Sequence, residues 1–297
     1  MKIVLSMDIA PTFFQSKSTL SCNGKLLDLS TPVVMGIINI TNDSFYQGSQ
    51  FRLKRRIYRR AKEIIQHGGA IIDIGACSTR PGAKLVSEEE ELKRLSKAAT
   101  VIRKHFPDAI LSVDTFRAAV AKQMVNDYSA SIINDISAGE MDKAMFETVA
   151  ELGVPYIAMH MKGTPENMQE NPTYDNVIKE VFKYFATKTE QLSRLGVKDI
   201  IIDPGFGFGK TIEHNYTLLN NLDAFRIFNL PILVGLSRKS MIYKPLEAKP
   251  TTSLNGTSVL NTIALLKGAK ILRVHDVKEA VEAIKLTELC INQPIGD

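Results

Sequence analysis

The sequence predicts an α/β fold, a single (β/α)8 TIM barrel with an N-terminal β-hairpin. Three observations carry this expectation. From about residue 33 onward, short β-branched runs alternate eight times with longer amphipathic segments, a count in keeping with a closed barrel of ordinary length. Runs such as Ala70-Ile71-Ile72-Asp73-Ile74 are apolar on both faces, as a parallel strand buried between a barrel interior and its helices requires. No Gly-x-Gly-x-x-Gly follows the first strand, which disfavours the rival doubly wound sheet; the Gly205-Phe206-Gly207-Phe208-Gly209 stretch has the wrong spacing and follows the sixth strand.

In chain order, Thr19 to Leu29 reads as a hairpin turning at Asn23-Gly24, placed to plug the amino-terminal end of the barrel. The strands follow at Val33 to Ile38, Ala70 to Ile74, Ile110 to Val113, Ser131 to Ile133, Tyr156 to Met159, Ile200 to Ile202, Ile232 to Gly235 and Ile271 to Val274. The helices are expected at Lys54 to His67, Glu88 to His105, Arg117 to Asn126, Lys143 to Glu151, Tyr174 to Leu195, Glu213 to Asn221, Asn255 to Lys267 and Val277 to Cys290. With no composition break, repeat or low-complexity tract, one domain is expected over residues 1–297: a hairpin segment at 1–32 and the barrel at 33–297.

Bulk properties narrow the function classes. With 297 residues, 44% hydrophobic and 23% charged, the chain can bury a full core. A net charge of +5 favours an anionic partner without separating nucleic acid from a phosphorylated small molecule. The densest basic stretch, Arg52 to Lys62, carries Leu53, Ile57, Ala61 and Ile65 at helical spacing and no stacking platform of aromatics, so it reads as a solvated helix face and not a nucleic-acid site. No apolar run approaches bilayer length, and Cys22, Cys77 and Cys290 form no Cys-x-x-Cys pair; no membrane association, a reduced state and a cytoplasmic location are expected.

Barrel enzymes place catalytic groups where each strand ends. Here Asn39 and Asp43 follow the first strand, Asp73 ends the second with Ser78-Thr79-Arg80 beyond it, and Asp114 ends the third. Asn134 and Asp135 end the fourth, Met159 and His160 the fifth, Asp203 the sixth, Ser237 to Ser240 the seventh, and Arg273 with His275 the eighth. Singly, each has a plain explanation. Asp73, Asp135 and Asp276 suit helix N-caps, Asn134 a turn, and His160 or His275 a satisfied core histidine, with His275 the better functional candidate. Caps do not explain an Asp, an Asn, a second Asp, a Lys and an Arg on one rim. Such a set suits a flat, nitrogen-rich ring, whose N–H groups donate to carboxylates and whose carbonyl or nitrogen accepts from lysine. Arg273 and His275, two apart, are expected on one side of their strand, where they could clamp an anion.

At these residues the sequence resembles the dihydropteroate synthases over almost the whole barrel. Met35-Gly36-Ile37-Ile38-Asn39-Ile40-Thr41-Asn42-Asp43-Ser44-Phe45 is similar to the family's first signature and Gly75 to Ala83 to its second. Further matches are Ser112-Val113-Asp114-Thr115, Ile133-Asn134-Asp135, Met159-His160-Met161, Asp203 to Lys210, Gly235 to Ser240 and Arg273 to Asp276. The resemblance implies condensation of 6-hydroxymethyl-7,8-dihydropterin pyrophosphate with para-aminobenzoate, a sulfonamide-sensitive step of folate biosynthesis, in a homodimer. It implies that Asp114, Asn134, Asp203 and Lys239 hold the pterin with Met159 against it, and that Asn39 meets a Mg²⁺ on the pyrophosphate bound by Arg273 and His275. Thr79, Arg80, Pro81, Phe208 and Ser240 would form the para-aminobenzoate pocket, with Asp43 and Phe45 closing over it. Asp114, Lys239, Arg273 and Asp43 would be the catalytic set. The sequence departs from the pattern at Asn42, where proline is usual, at Tyr46 to Gln50, and at Cys77, often glutamate. Two other readings are a pterin-binding methyltransferase domain, which has no use for the Ser78 to Gly82 loop as a second-substrate pocket, and a non-catalytic pterin-binding barrel.

Overall fold

The computed structural model describes residues 18–40, 50–77 and 85–292, with the side chains of residues 50 and 51 excepted. Strands β1 (Thr19–Cys22) and β2 (Lys25–Asp28) form the antiparallel hairpin. Its turn needs positive φ at two successive positions, which Asn23 (φ 50°) and Gly24 (φ 82°) adopt at little steric cost. One face of the hairpin is exposed at Leu26. The other buries Leu20, Cys22 and Leu27, with Leu29 just beyond, against Met35, Ile71, Ile132, Ile157, Ile201, Leu233 and Ile271 at the amino-terminal side of the barrel. The hairpin is therefore the expected plug.

The barrel strands are β3 (Val33–Asn39), β4 (Ile71–Gly75), β5 (Ile110–Asp114), β6 (Ile132–Asp135), β7 (Tyr156–Met159), β8 (Ile200–Asp203), β9 (Leu233–Val234) and β10 (Ile271–Val274). They pair in parallel in the order β8-β7-β6-β5-β4-β3-β10-β9. A bridge between Ile202 and Ile232 joins the two ends, where Ile202 N–H donates to the Pro231 carbonyl at 3.0 Å. The seventh strand is only two residues long because this junction makes a bridge and not a ladder. The register sets Asn39 beside Gly75, Gly75 beside Asp114 and Asp114 beside Asn134, so the carboxyl ends of four consecutive strands reach one level.

Helices α1 (Gln50–Gln66), α2 (Glu88–His105), α3 (Ala118–Tyr128), α4 (Met145–Leu152), α5 (Val177–Arg194) and α6 (Ile212–Asn220) cover the strands. They are followed by α7 (Ser240–Tyr243), α8 (Leu254–Leu266) and α9 (Val277–Ile291). On α1 the buried line is Leu53, Ile57, Ala61 and Ile64; Ile65, expected in that line, is 39% exposed, because a 3.6-residue turn carries the stripe back by one position. The basic residues Arg52, Lys54, Arg55, Arg56, Arg59 and Lys62 face solvent. Helix α2 starts on Ser87, whose Oγ accepts from Glu90 N–H, with four glutamates in its first turn and Arg103, Lys104 and His105 in its last, each sign suiting the helix dipole. Helix α7 and the 3-10 turns at Leu222–Phe228 and Pro250–Thr252 are too short to leave a periodic signal. Among the described residues, no helix is long and apolar enough to cross a membrane.

Candidate active site

The carboxyl-terminal mouth is organised by Arg273, on the penultimate residue of β10. Its Nε donates to Asp73 Oδ2 at 2.7 Å and its Nη2 to Asp114 Oδ2 at 2.6 Å, so one guanidinium spans carboxylates from β4 and β5. Asp73 is fully buried and also accepts from Ser112 Oγ at 2.6 Å and from Asn134 Nδ2 at 3.5 Å. The N-cap expectation for Asp73 is thus corrected: its side chain points into the barrel, where three donors converge on it. Burial pushes the Asp114 carboxyl up to about 7, against the opposing pull of Arg273.

Lys239 caps the start of α7, and an ideal Cβ on Gly235 would lie 3.7 Å from its Nζ and 4.0 Å from Arg273 Cβ, so the Lys239 ammonium and the base of the Arg273 side chain flank Gly235. Lys239 Nζ donates to the Phe206 carbonyl and lies 4.7 Å from the centre of the Phe208 ring. Burial lowers this ammonium to about 8, opposed chiefly by Asp203. Asp203 is buried, accepts from Gly205 N–H at 2.8 Å and is pushed upward by burial, with Lys239 the main opposing charge.

Two loops fix these groups. Arg238, at φ 57°, makes paired 2.9 Å bonds to Asp276 and donates to the Pro250 and Thr251 carbonyls at 2.7 Å, while Ser237 Oγ accepts from His275 N–H at 3.2 Å. The two residues before Lys239 are thereby tied to the end of β10. Asp276 stands at the N-cap of α9 but gives its side chain to Arg238 and makes no cap bond, a second correction. Asp135 is a third: it accepts from Ser137 N–H and Oγ, Gly139 N–H and Tyr156 Oη, anchoring its own turn and no helix start. In the second loop, buried Lys210 Nζ donates to the Gly205 and Phe208 carbonyls at 3.0 Å, the His160 carbonyl at 3.3 Å and His160 Nδ1 at 2.8 Å. His160 is accordingly a satisfied core histidine, held neutral by burial and by Lys210, at about 2.

An apolar wall completes the mouth. Phe116, Ile136 and Met159 pack together, with Phe208 and Met161 against them. Asn39 sits at the exposed end of β3, and half-buried His275 is lowered to about 4 by burial and by Arg273, so it is a neutral imidazole at pH 7. Ser240 opens α7 beside Lys239. Asp43, Phe45, Thr79, Arg80 and Pro81 lie outside the described residues. The structure therefore brings together Asp114, Asn134, Asp203, Lys239 and Arg273 with Met159 and Phe208. It adds Asp73, which the sequence reading placed on the rim but gave to a helix N-cap, and Ser112, which it gave no role, although their period-two relation to Gly75 and Asp114 places them on the same strand faces.

Comparison with known proteins agrees with this geometry. The family described as "Pterin binding enzyme" matches residues 35–275. The dihydropteroate synthase of Escherichia coli (strain K12) is 44% identical over 275 residues, 92% of this chain and 96% of that one. Among solved structures, Yersinia pestis dihydropteroate synthase with a sulfonamide drug complex superposes with a TM-score of 0.86 at 41% identity, covering 93% of this chain and 100% of that one. The Xanthomonas albilineans dihydropteroate synthase with 4-aminobenzoic acid also gives 0.86, at 34% identity, covering 94% of this chain and 100% of that one.

Proposed function

This chain belongs to the dihydropteroate synthase family of pterin-binding enzymes, and from that premise we propose how its rim residues divide the work. The activity is the transferase reaction that condenses 6-hydroxymethyl-7,8-dihydropterin pyrophosphate with para-aminobenzoate to give 7,8-dihydropteroate and pyrophosphate. The observation that carries the assignment is Arg273 held against Asp114 on the same rim as Lys239 and Asp203.

Asp114, Asn134 and Asp203 accept from the N–H edges of the pterin, Lys239 donates to its carbonyl or ring nitrogen, and Met159 packs on its face. Arg273 and the neutral imidazole of His275 take the diphosphate. Phe208 and Ser240 line the para-aminobenzoate side with Thr79, Arg80 and Pro81, while Asp43 and Phe45 close the site. Asn39 is a hard oxygen donor at the exposed end of β3, in register with the level of Asp114. Such a ligand fits Mg²⁺, which keeps few protein donors and fills its shell from substrate phosphates. When bound there, Mg²⁺ would supply positive charge against the diphosphate oxygens.

The C–O bond joining the pterin methylene to the diphosphate breaks with its electron pair leaving on oxygen. Arg273 stabilises the charge gathering there, and the carboxylates of Asp114 and Asp43 stabilise the charge left on the pterin methylene. The aniline nitrogen then donates its lone pair to that carbon and loses a proton, with no covalent bond to the enzyme. We place the enzyme in a reducing compartment, the cytoplasm, in keeping with its three free cysteines. We also propose a homodimer through α8 and α9, which pack side by side and expose Val259, Ile263, Leu266, Leu286 and Leu289.

The test is a coupled assay of dihydropteroate formation with and without Mg²⁺. Equimolar dihydropteroate and pyrophosphate that vanish on chelation and return with added Mg²⁺ are expected. Undiminished turnover in excess chelator contradicts the role given to Asn39.

A further inference from the structure

Asp73 has no part in the division of labour above, yet donors from three other strands converge on its carboxylate. It is fully buried and accepts from Arg273 Nε at 2.7 Å, Ser112 Oγ at 2.6 Å and Asn134 Nδ2 at 3.5 Å. Arg273 offers five N–H donors on a rigid planar fork. Nε is spent on Asp73, Nη2 lies between Asp73 Oδ2 at 2.7 Å and Asp114 Oδ2 at 2.6 Å, and Nη1 has no partner among the described residues.

The two carboxylates are not equivalent. Asp73 is sealed from solvent, whereas the Asp114 side chain is 15% exposed and belongs to the open rim. A pterin gripped by Asp114 competes with Nη2 for the same oxygen, and an incoming diphosphate competes with Asp114 for the same guanidinium. Substrate can displace Nη2 from Asp114, but it cannot reach the bond from Nε to the sealed Asp73. We propose that Asp73 is the positioning residue on which Arg273 pivots: Nε stays on Asp73 while Nη2 leaves its place between Asp73 and Asp114 for the diphosphate. The inference deepens the reading of Arg273 as diphosphate ligand and rests on it. It also gives Asn134 a second task, since the amide that touches Asp73 couples the pivot to the pterin side.

Simple electrostatics and positioning give opposite expectations, which makes the idea testable. Removing a negative charge near an anion site should tighten anion binding, whereas removing the pivot should loosen it. The probe is inorganic pyrophosphate with Mg²⁺, titrated calorimetrically into the wild-type enzyme and the Asp73→Asn, Arg273→Lys and double variants. Asp73→Asn is expected to weaken pyrophosphate binding about ten- to hundredfold, the worth of one charge-assisted hydrogen bond, with KM for para-aminobenzoate unchanged. Because Asp73 acts through Arg273, the double variant should bind no more weakly than Arg273→Lys.

Equal or tighter binding by Asp73→Asn, or losses that multiply in the double variant, overturns the proposal. If Arg273→Lys binds pyrophosphate as the wild type does, it is the assignment of Arg273 to the diphosphate that fails, and the pivot falls with it. Should Asp73→Asn not fold, a crystal structure of the wild-type enzyme with pyrophosphate decides. Nε on Asp73 with Nη2 off Asp114 is expected, and Nε detached from Asp73 overturns the idea.

Discussion

Gly205→Ala should damage this enzyme far more than the loss of one hydrogen atom suggests. Gly205 has φ +70°, and a Cβ there would sit 1.9 Å from the His160 carbonyl oxygen and 3.2 Å from Met159 Cγ. Real Cβ contacts stay beyond 3.0 Å, so the loop must retreat by about 1 Å from β7. That movement strains bonds already at their best length: Gly205 N–H to Asp203 at 2.8 Å and Lys210 Nζ to the Gly205 carbonyl at 3.0 Å. A left-handed alanine costs about 1–2 kcal/mol and a weakened bond to a buried charge about 1.5–3, so about 2.5–5 kcal/mol of stability should be lost. The same loop carries the Phe206 carbonyl that receives Lys239 and the Phe208 ring beneath it, so the surviving folded fraction should bind pterin poorly. Urea unfolding combined with KM for the pterin substrate measures both effects. A stability loss under about 1 kcal/mol with unchanged pterin KM would refute the reasoning.

Further outcomes follow from the same geometry. The ratio kcat/KM for the pterin substrate should rise as pH passes about 7, where Asp114 ionises, and fall beyond about 8, where Lys239 loses its proton; a profile flat from 6 to 9 would contradict those roles. Burial lifts the Cys22 and Cys77 thiols to about 12, with Glu91 adding to the second, whereas Cys290 is exposed. One thiol per folded chain should therefore react rapidly with a maleimide and three after denaturation, and prompt labelling of Cys77 in the native protein would contradict its placement. Leu286→Glu should abolish the proposed α8–α9 homodimer in sedimentation velocity, since it sets a charge in that apolar face; an unaltered sedimentation coefficient would contradict the proposed interface.

Much of the fold was legible because periodicity is a local signal. The strands at Tyr156–Met159 and Ile271–Val274 and the helix at Glu88–His105 fall where alternation and caps place them. The plug was legible because Asn23-Gly24 demands a specific turn. The convergence of Asp114, Asn134, Asp203, Lys239 and Arg273 followed from one general property of barrels, that every strand delivers its last side chains to the same end.

Pairing between distant residues was not legible. Asp73, Asp135 and Asp276 look alike in sequence, each an acid near the end of a strand with a helix following. Yet the first serves Arg273, 200 residues away, the second braces its own turn, and the third holds Arg238. Which of these an acid does depends on what its neighbouring strands present, and sheet register fixes that where local propensity cannot. Lys210 was hidden for a related reason: a buried ammonium held by carbonyls and one imidazole nitrogen has no sequence signature apart from the turn it stabilises.

The most direct measurement compares dihydropteroate synthesis by the wild-type chain with that of Asp114→Ala and Lys239→Ala, alongside circular dichroism of all three. Each variant should keep the barrel spectrum and lose about a hundredfold or more in rate, the cost of about 3 kcal/mol of barrel-rim electrostatics. A folded variant of either kind turning over at the wild-type rate would mean that the chemistry happens somewhere other than this rim.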